Sequence, residues 1–210
     1  MNKIPETIKA VLFDYGGVLV DLDAEVCFKA YDDLRIDVRS YIGRYGQRGL
    51  FEKLERGEET VAEFCEALRV KSGRHEVSDE LITAAWKAYT TGVPRHRPEA
   101  ILRIRQSYDT MLLSNTNEIH WHEARDEYFA YEGHRVEDFF SRIFLSYELH
   151  LEKPEPAIFH EVINRSGYAP HEILFIDDAA ENCAAAAAVG IEAFHTTVAD
   201  DWLPLFGIKA

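Results

Sequence analysis

Short apolar segments alternate with helical patterns along most of this chain, and this alternation restricts the possible folds more than any other feature of the sequence. Strands that alternate with helices are typical of a parallel sheet covered by helices on both faces, and such strands are apolar throughout. Segments with this character lie at 8–13, 109–113, 142–146, 173–177 and 191–195, and helices are predicted at 98–106, 154–166 and 179–189. The sequence therefore predicts an α/β fold with a doubly wound, Rossmann-like parallel sheet.

The region between the first two predicted strands has a different pattern. From residue 24 to about residue 91, apolar residues recur every three or four positions, as they do in helices. One stripe contains Val61, Phe64, Cys65 and Leu68, and a second contains Leu81, Ala84, Ala85, Trp86 and Tyr89. Residues 92–98 include a glycine and two prolines, which is typical of a linker. We expect an α/β core of residues 1–22 and 93–210, and an inserted helical cap of residues 23–92.

Polar residues directly follow three of the predicted strands, at 14–17, 114–117 and 177–178. The carboxyl ends of parallel strands face one crevice, where sheets of this kind bind their ligands. An aspartate, a serine and a pair of aspartates therefore meet there, and Lys153 joins them from the start of a predicted helix. This combination of side chains predicts a site for a phosphate group and a metal ion.

The first of these segments contains the predicted nucleophile. Asp14 can attack phosphorus in line and form an acyl phosphate, which water then hydrolyses. Gly16 and Gly17 allow the backbone to approach the phosphate and to present N–H groups to its oxygens. An Asp-x-Gly pattern also forms ordinary turns at strand ends, so the other segments have to support the functional interpretation.

Two further side chains are candidates for phosphate binding. Ser114 could donate its hydroxyl to a phosphate oxygen, although the Ser-Asn-Thr-Asn run equally suits a helix N-cap. Lys153 carries a compact charge that could neutralise both the nucleophile and the phosphate. The functional interpretation of Lys153 depends on its position alone, because most lysines lie on protein surfaces.

The pair Asp177 and Asp178 favours a divalent cation. Two adjacent carboxylates after an apolar strand are costly to bury unless a cation neutralises them. Mg²⁺ fits best, since it prefers oxygen ligands and is commonly held by one or two carboxylates together with substrate phosphate. His120 and His122 are two positions apart, a poor spacing for one helical face, and we interpret both as structural.

Composition bears on partners and location. A net charge of −14 without a lysine or arginine run argues against nucleic-acid binding, and no apolar run of 18 or more residues suggests a membrane helix. Three widely spaced cysteines are expected to be buried and reduced. We therefore expect a cytoplasmic protein. The predicted phosphate site indicates a small phosphorylated metabolite as its partner, and the chain is expected to be a monomer or a homodimer.

In this order, the motifs resemble those of the haloacid dehalogenase-like hydrolase superfamily, whose members are mostly Mg²⁺-dependent phosphatases. The resemblance covers the whole chain, and it implies that the inserted helices correspond to the cap of that superfamily. Three segments look like the bacterial sugar-phosphatases that include α-glucose-1-phosphate phosphatase: Phe13-Asp-Tyr-Gly-Gly-Val18, Ser114-Asn-Thr-Asn117 with His120, and Phe175-Ile-Asp-Asp178 followed by Glu181-Asn182.

The resemblance also implies roles for individual residues. Asp14 would be the nucleophile and a metal ligand, and further ligands would come from the Gly16 carbonyl, Asp177 and its neighbour Asp178. The residues that would hold the phosphate are Ser114, Asn115 and Lys153. The chain is accordingly expected to hydrolyse a phosphate ester, most simply a sugar phosphate, through an aspartyl-phosphate intermediate.

One position departs from the superfamily pattern. Its phosphatases usually carry a second aspartate two residues after the nucleophile, as general acid and base, where this chain has Gly16. Losing such a group typically costs about 10²–10⁴ in rate. The substrate could have a good leaving group such as an anomeric sugar oxygen, another residue such as His96 could supply the proton, or the chain could be a non-catalytic phosphate-binding protein. Metal-independent haloacid dehalogenase chemistry is a further alternative, against which the Asp177–Asp178 pair argues.

Overall fold

The computed structural model describes residues 4–43 and 46–209 of the 210-residue chain. The strands are β1 (Ala10–Phe13), β2 (Asp21–Leu22), β3 (Thr90–Gly92), β4 (Asp109–Ser114), β5 (Arg142–Leu145), β6 (Ile173–Asp177) and β7 (Glu192–His195). The α-helices are α1 (Ala24–Asp33), α2 (Leu50–Glu55), α3 (Val61–Ser72), α4 (Asp79–Lys87), α5 (His96–Ile104), α6 (Glu118–Glu123), α7 (Val136–Phe139), α8 (Ser146–Leu149), α9 (Pro156–Ser166) and α10 (Ala180–Ala188). Parts of the predicted core (1–3 and 210) and of the predicted cap (44–45) lie outside the described residues.

Five strands form one parallel sheet in the order β5-β4-β1-β6-β7. The chain runs outward from β1 to one edge and then returns to the other side of β1, which is the doubly wound arrangement expected from the sequence. Phe13 at the end of β1 is in register with Leu112 of β4 and Ile176 of β6. The residues that follow these three strands therefore lie at the same edge of the sheet.

The two faces of the sheet bury alternate residues of each strand. On one face, Val11 and Phe13 of β1 pack towards α5 and Trp202, and the ring centroids of Phe13 and Trp202 are 5.3 Å apart. On the other face, Leu12 packs in a cluster with residues of α9 and α10. Fully burying a large apolar side chain contributes about 1.5–3 kcal/mol. The period of two along β1 thus places apolar residues in both layers and leaves Asp14 at the end of the strand.

Helices α1 to α4 form the inserted helical segment, residues 23–92. Its apolar cluster centres on Phe51, whose ring lies 4.9 Å from Phe64 and 4.7 Å from Trp86, centroid to centroid. The antiparallel strands β2 and β3, which the sequence analysis did not predict, hold the two connections to the sheet side by side. The division into core and cap remains a prediction.

Two local predictions need correction. The buried stripe of α4 is Ile82, Ala85 and Trp86, and Tyr89 continues it just after the helix, whereas Leu81 is 52% exposed and Ala84 is also exposed. The helix turns Ile82 and Trp86 inward together, and positions 82, 85, 86 and 89 share one helical face. In addition, α5 begins at His96, inside the predicted linker, since Pro98 lies in the first turn, where backbone N–H groups lack intrahelical partners.

Two expectations from composition can be compared with the structure. Cys27, Cys65 and Cys183 are buried and free, as predicted. Within residues 4–43 and 46–209, no helix has the length and apolar character needed to cross a membrane.

Candidate active site

A buried ion-pair cluster lies at the carboxyl ends of β1 and β6. The Lys153 ammonium is 2.7 Å from Asp14 Oδ1 and 2.8 Å from Asp177 Oδ2. Asp178 completes the cluster, and one carboxylate oxygen from each aspartate lies within 4.8 Å of the others. The structure therefore brings together four residues that the sequence predicted would meet.

Asn115 holds Lys153 in place. Its side-chain amide donates to the Lys153 carbonyl at 2.8 Å and accepts from the Lys153 N–H at 2.8 Å. This reciprocal pair fixes the backbone from which the ammonium group extends. The Asn115 side chain thus positions the lysine, and its predicted contact with phosphate remains a prediction.

The two aspartates of the pair have different surroundings. Asp177 is fully buried, and its oxygens accept from Lys153, from the Ala179 N–H at 2.7 Å and from the Asn182 amide at 3.1 Å. Asp178 is partly exposed and lines the cavity above the cluster. The carboxylate of Asp177 is therefore largely committed to holding its neighbours.

Gly17 is required by the approach of Asp178. It has a φ of +76°, and a Cβ at this position would lie 2.6 Å from Asp178 Oδ2. Any side chain would therefore displace the carboxylate. Gly16 differs, since its φ lies outside the left-handed region and a Cβ would meet only the flexible Leu22 side chain, at 3.2 Å.

Ser114 is not among the described residues that line the cavity. It is buried at the end of β4, its hydroxyl donates to the Asn115 carbonyl at 3.4 Å, and the cavity lining includes Asn115 and Thr116 instead. The N-cap expected in this segment exists, with Asn117 accepting from the N–H groups of Ile119 and His120. A contact between Ser114 and phosphate remains a prediction.

Neither His120 nor His96 is placed to supply an acid. His120 donates from Nε2 to the Trp86 carbonyl at 2.9 Å, and burial lowers its pKa to about 4, so the ring is neutral near pH 7. His96, considered as a proton donor, lies outside the cavity lining, and its Nε2 is 2.9 Å from Asp200 Oδ2. Its position contradicts that hypothesis.

The cluster carries excess negative charge. Burial raises the pKa of Asp14 well above its usual value, and the charges of Asp177 and Asp178 raise it further while Lys153 opposes the shift. Burial alone would lower the pKa of Lys153, but the two carboxylates it contacts outweigh this and keep it charged. One ammonium group faces three carboxylates, so the donor set fits a divalent cation with oxygen ligands.

A cavity of about 70 Å³ opens above the cluster and adjoins a wider space of about 790 Å³. Asp14, Lys153 and Asp178 form part of its floor. Residues of the inserted helical segment line it as well: Gln47, Glu55, Tyr89 and Thr90. The cluster therefore lies between the sheet and the inserted helices.

Two residues with structural contacts at this cavity, Glu55 and Ser146, were not predicted as site residues. The pattern of the sequence places Ser146 at the end of a predicted strand and does not single out Glu55. Ser146 begins α8, and its hydroxyl donates to the Glu55 carbonyl at 2.6 Å. No local pattern signals such a contact, since the two residues are far apart in sequence.

The sequence profile of the haloacid dehalogenase-like hydrolases matches residues 8–190. The chain belongs to this family of hydrolases. The match includes β1, the inserted helices and β6, so the family expected from the motifs is confirmed. The narrower resemblance to α-glucose-1-phosphate phosphatases remains a prediction.

Similar proteins include phosphatases. A D-ribitol-5-phosphate phosphatase of Bacteroides thetaiotaomicron is 35% identical over 196 residues, covering 93% of this chain and 95% of that protein. A sesquiterpene phosphatase of Aspergillus oryzae is 27% identical over 195 residues, covering 91% of each.

Solved structures agree with this family. A haloacid dehalogenase family enzyme of Bacteroides thetaiotaomicron, crystallised with magnesium and inorganic phosphate, is 38% identical, with a TM-score of 0.88 over 95% of this chain and 99% of that one. An L-2-haloacid dehalogenase of Xanthobacter autotrophicus, 18% identical with a TM-score of 0.59 over 93% of this chain and 80% of that one, shares the fold alone.

Proposed function

We propose that the protein is a Mg²⁺-dependent phosphatase that hydrolyses a sugar phosphate or sugar-alcohol phosphate through an aspartyl phosphate on Asp14. The observation that carries the proposal is the buried contact of Asp14 with Lys153, 2.7 Å long, inside a cluster of three carboxylates. The named activities of the relatives, and the magnesium and phosphate bound by the related crystal structure, support it.

Asp14 is oriented for attack. Its Oδ1 accepts from the Lys153 ammonium and from the Tyr15 N–H, both at 2.7 Å. These two contacts fix the plane of the carboxylate, and the strand end points it into the cavity. A fixed nucleophile needs less reorganisation to reach phosphorus in line.

Asp14, Asp177, Asp178 and the Gly16 carbonyl are the proposed magnesium ligands, and Asp177 also holds Lys153. The chemistry that Mg²⁺ supplies when bound is neutralisation of charge on the phosphoryl oxygens. Lys153 adds a positive charge on the protein side of the same group. Together these charges offset the repulsion between a phosphate ester and an acidic protein.

The inserted helical segment is proposed to act as a cap that selects the leaving group. Gln47, Glu55 and Thr90 present polar groups to the cavity, which suits a substrate with several hydroxyls. The wider adjoining space can take the part of the substrate that extends beyond the phosphate.

The test is phosphate release from ribitol 5-phosphate, α-glucose 1-phosphate and an aryl phosphate, with Mg²⁺ or EDTA. We expect turnover that EDTA abolishes and Mg²⁺ restores, and a loss of at least about 10³-fold in Asp14→Asn, because an amide cannot form the acyl phosphate. Asp33→Asn, on the exposed face of α1, is the matched control. Activity that survives chelation would favour metal-independent chemistry, whereas Mg²⁺-dependent binding of a phosphate ester without turnover would favour a binding protein.

A further inference from the structure

Glu55 is a buried carboxyl group in the roof of the cavity. It is the last residue of α2, is 6% exposed, and lines the same cavity as Asp14 and Lys153. Glutamate is almost never buried without a role or a partner. Glu55 therefore brings a buried carboxyl group to the cavity that contains the proposed nucleophile.

Contacts with the sheet domain hold this part of the roof. The Glu55 carbonyl accepts from Ser146, and the Arg56 guanidinium lies 2.7 Å from Glu155 and 3.1 Å from Glu152. His150 donates from Nδ1 to the Arg56 carbonyl at 2.9 Å. Two successive residues of the helical segment therefore contact the core. These contacts fix the backbone from which the Glu55 side chain extends.

Gly57, the residue after Arg56, packs closely against the core. Gly57 has a φ of +64°, and a Cβ there would lie 2.1 Å from the Tyr147 carbonyl oxygen. The backbone of the helical segment thus touches the core directly. We call residues 55–57 the docking turn.

The surroundings of Glu55 favour its protonated form. Burial raises the pKa of this carboxyl group well above its usual value, and Glu152 and Glu52 raise it further while Lys153 opposes them. The Lys153 ammonium is already engaged by Asp14 and Asp177. Tyr89 also faces Glu55, and burial, together with the charge of Glu55, raises the pKa of this tyrosine to about 12. These surroundings oppose loss of the proton from Glu55.

Among the described residues that line the cavity, the carboxyl groups belong to Asp14, Glu55 and Asp178. Asp14 is the proposed nucleophile and Asp178 a proposed metal ligand. His120 gives its only N–H to the Trp86 carbonyl, and Gly16 has no side chain. Of these carboxyl groups, only that of Glu55 is left to serve as an acid.

We propose that Glu55 protonates the leaving-group oxygen, the task for which superfamily phosphatases use the aspartate that Gly16 replaces. This inference rests on the proposed function. An Asp14 oxygen bonds to phosphorus as the phosphorus–oxygen bond of the ester breaks, and the Glu55 proton passes to the departing alkoxide. The Glu55 carboxylate then takes a proton from the water that attacks the acyl phosphate. Phosphate leaves, and both Asp14 and protonated Glu55 are regenerated.

The experiment compares Glu55→Gln with wild type on two esters, p-nitrophenyl phosphate and ribitol 5-phosphate, in rapid-mixing kinetics. Nitrophenolate leaves without a proton. We therefore expect the variant to release a stoichiometric burst of nitrophenolate at a rate within about threefold of wild type. Slow turnover should follow, because the variant lacks the base for hydrolysis of the acyl phosphate. Phosphorylation by ribitol 5-phosphate should fall by about 10²-fold or more, because its alkoxide needs the proton. Glu66→Gln, whose side chain is 60% exposed on α3, is the matched control.

The outcomes separate the two proposals. If the rate of phosphorylation in Glu55→Gln falls equally with both esters, or falls with neither, the role of Glu55 is overturned. Turnover by the wild type would still leave the proposed function intact. A wild-type enzyme that hydrolyses neither ester would instead overturn the proposed function. The burst in Glu55→Gln also reports directly that the variant is folded and that its nucleophile works.

Discussion

At the scale of single residues, Lys153 links the parts of the site. Its ammonium is shared by two carboxylates, so its removal leaves Asp14 and Asp177 facing one another in a buried space. We expect Lys153→Met to lower kcat by about 10²–10³-fold through lost stabilisation of the transition state. It should also raise the pKa of Asp14, moving the acid limb of the pH–rate profile to higher pH. Steady-state kinetics across pH would show both effects, and Lys29→Met on the surface of α1 should show neither.

His120 gives a prediction about stability. Its pKa is about 4 in the folded protein and 6.5 ordinarily, so the unfolded chain binds a proton between these values that the folded chain does not. The contribution of the neutral ring to the free energy of unfolding is complete above pH 6.5 and is lost as the pH falls towards 4. Between pH 7 and pH 5, His120→Gln should lose about 2 kcal/mol less unfolding free energy than wild type. Urea denaturation at the two pH values measures this difference, and equal losses would contradict it.

At the scale of elements, the docking turn connects the helical segment to the sheet. Gly57→Ala would drive a Cβ into the Tyr147 carbonyl, whereas Gly73→Ala, also at positive φ, meets no atom within 4 Å. We expect Gly73→Ala to cost about 1–2 kcal/mol of stability, from backbone strain alone. Gly57→Ala should cost more, and it alone should lower kcat for ribitol 5-phosphate, because it displaces the roof. Urea denaturation measures the stability of both variants, and steady-state kinetics measures their turnover. Equal activities of Gly57→Ala and Gly73→Ala would show that the docking turn does not position the site.

The elements of the sheet could be predicted from sequence because each strand is a short apolar run with its own boundaries. The polar ends of β1, β4 and β6 could be placed together for the same reason, since parallel strands share an edge. Glu55 could not be placed, because its burial depends on contacts of α2 with α8, far away in the chain. The predicted buried face of α4 was wrong for a related reason. Leu81 and Ile82 are both apolar, and only the packing of Trp86 against Phe51 selects between them.

At the scale of the whole molecule, cation binding should stabilise the fold. Three carboxylates and one ammonium group leave the site with net negative charge, within a chain of net charge −14. A ligand at about 100 times its Kd stabilises a protein by about 2.7 kcal/mol. We expect Mg²⁺ to raise the Tm of the wild type, and Asp178→Asn to reduce this shift sharply, while Asp33→Asn responds like wild type. An undiminished shift in Asp178→Asn would remove this residue from the proposed ligands.

In the proposed mechanism, Asp14 forms a covalent phosphoenzyme. The most direct measurement is mass spectrometry of the protein after acid quenching during turnover of ribitol 5-phosphate with Mg²⁺, followed by peptide mapping. We expect a phosphoryl group on the peptide that contains Asp14, and we expect it to be absent when EDTA is present and absent in Asp14→Asn. Turnover that continues while that peptide stays unmodified, or a phosphoryl group on a different residue, would contradict it.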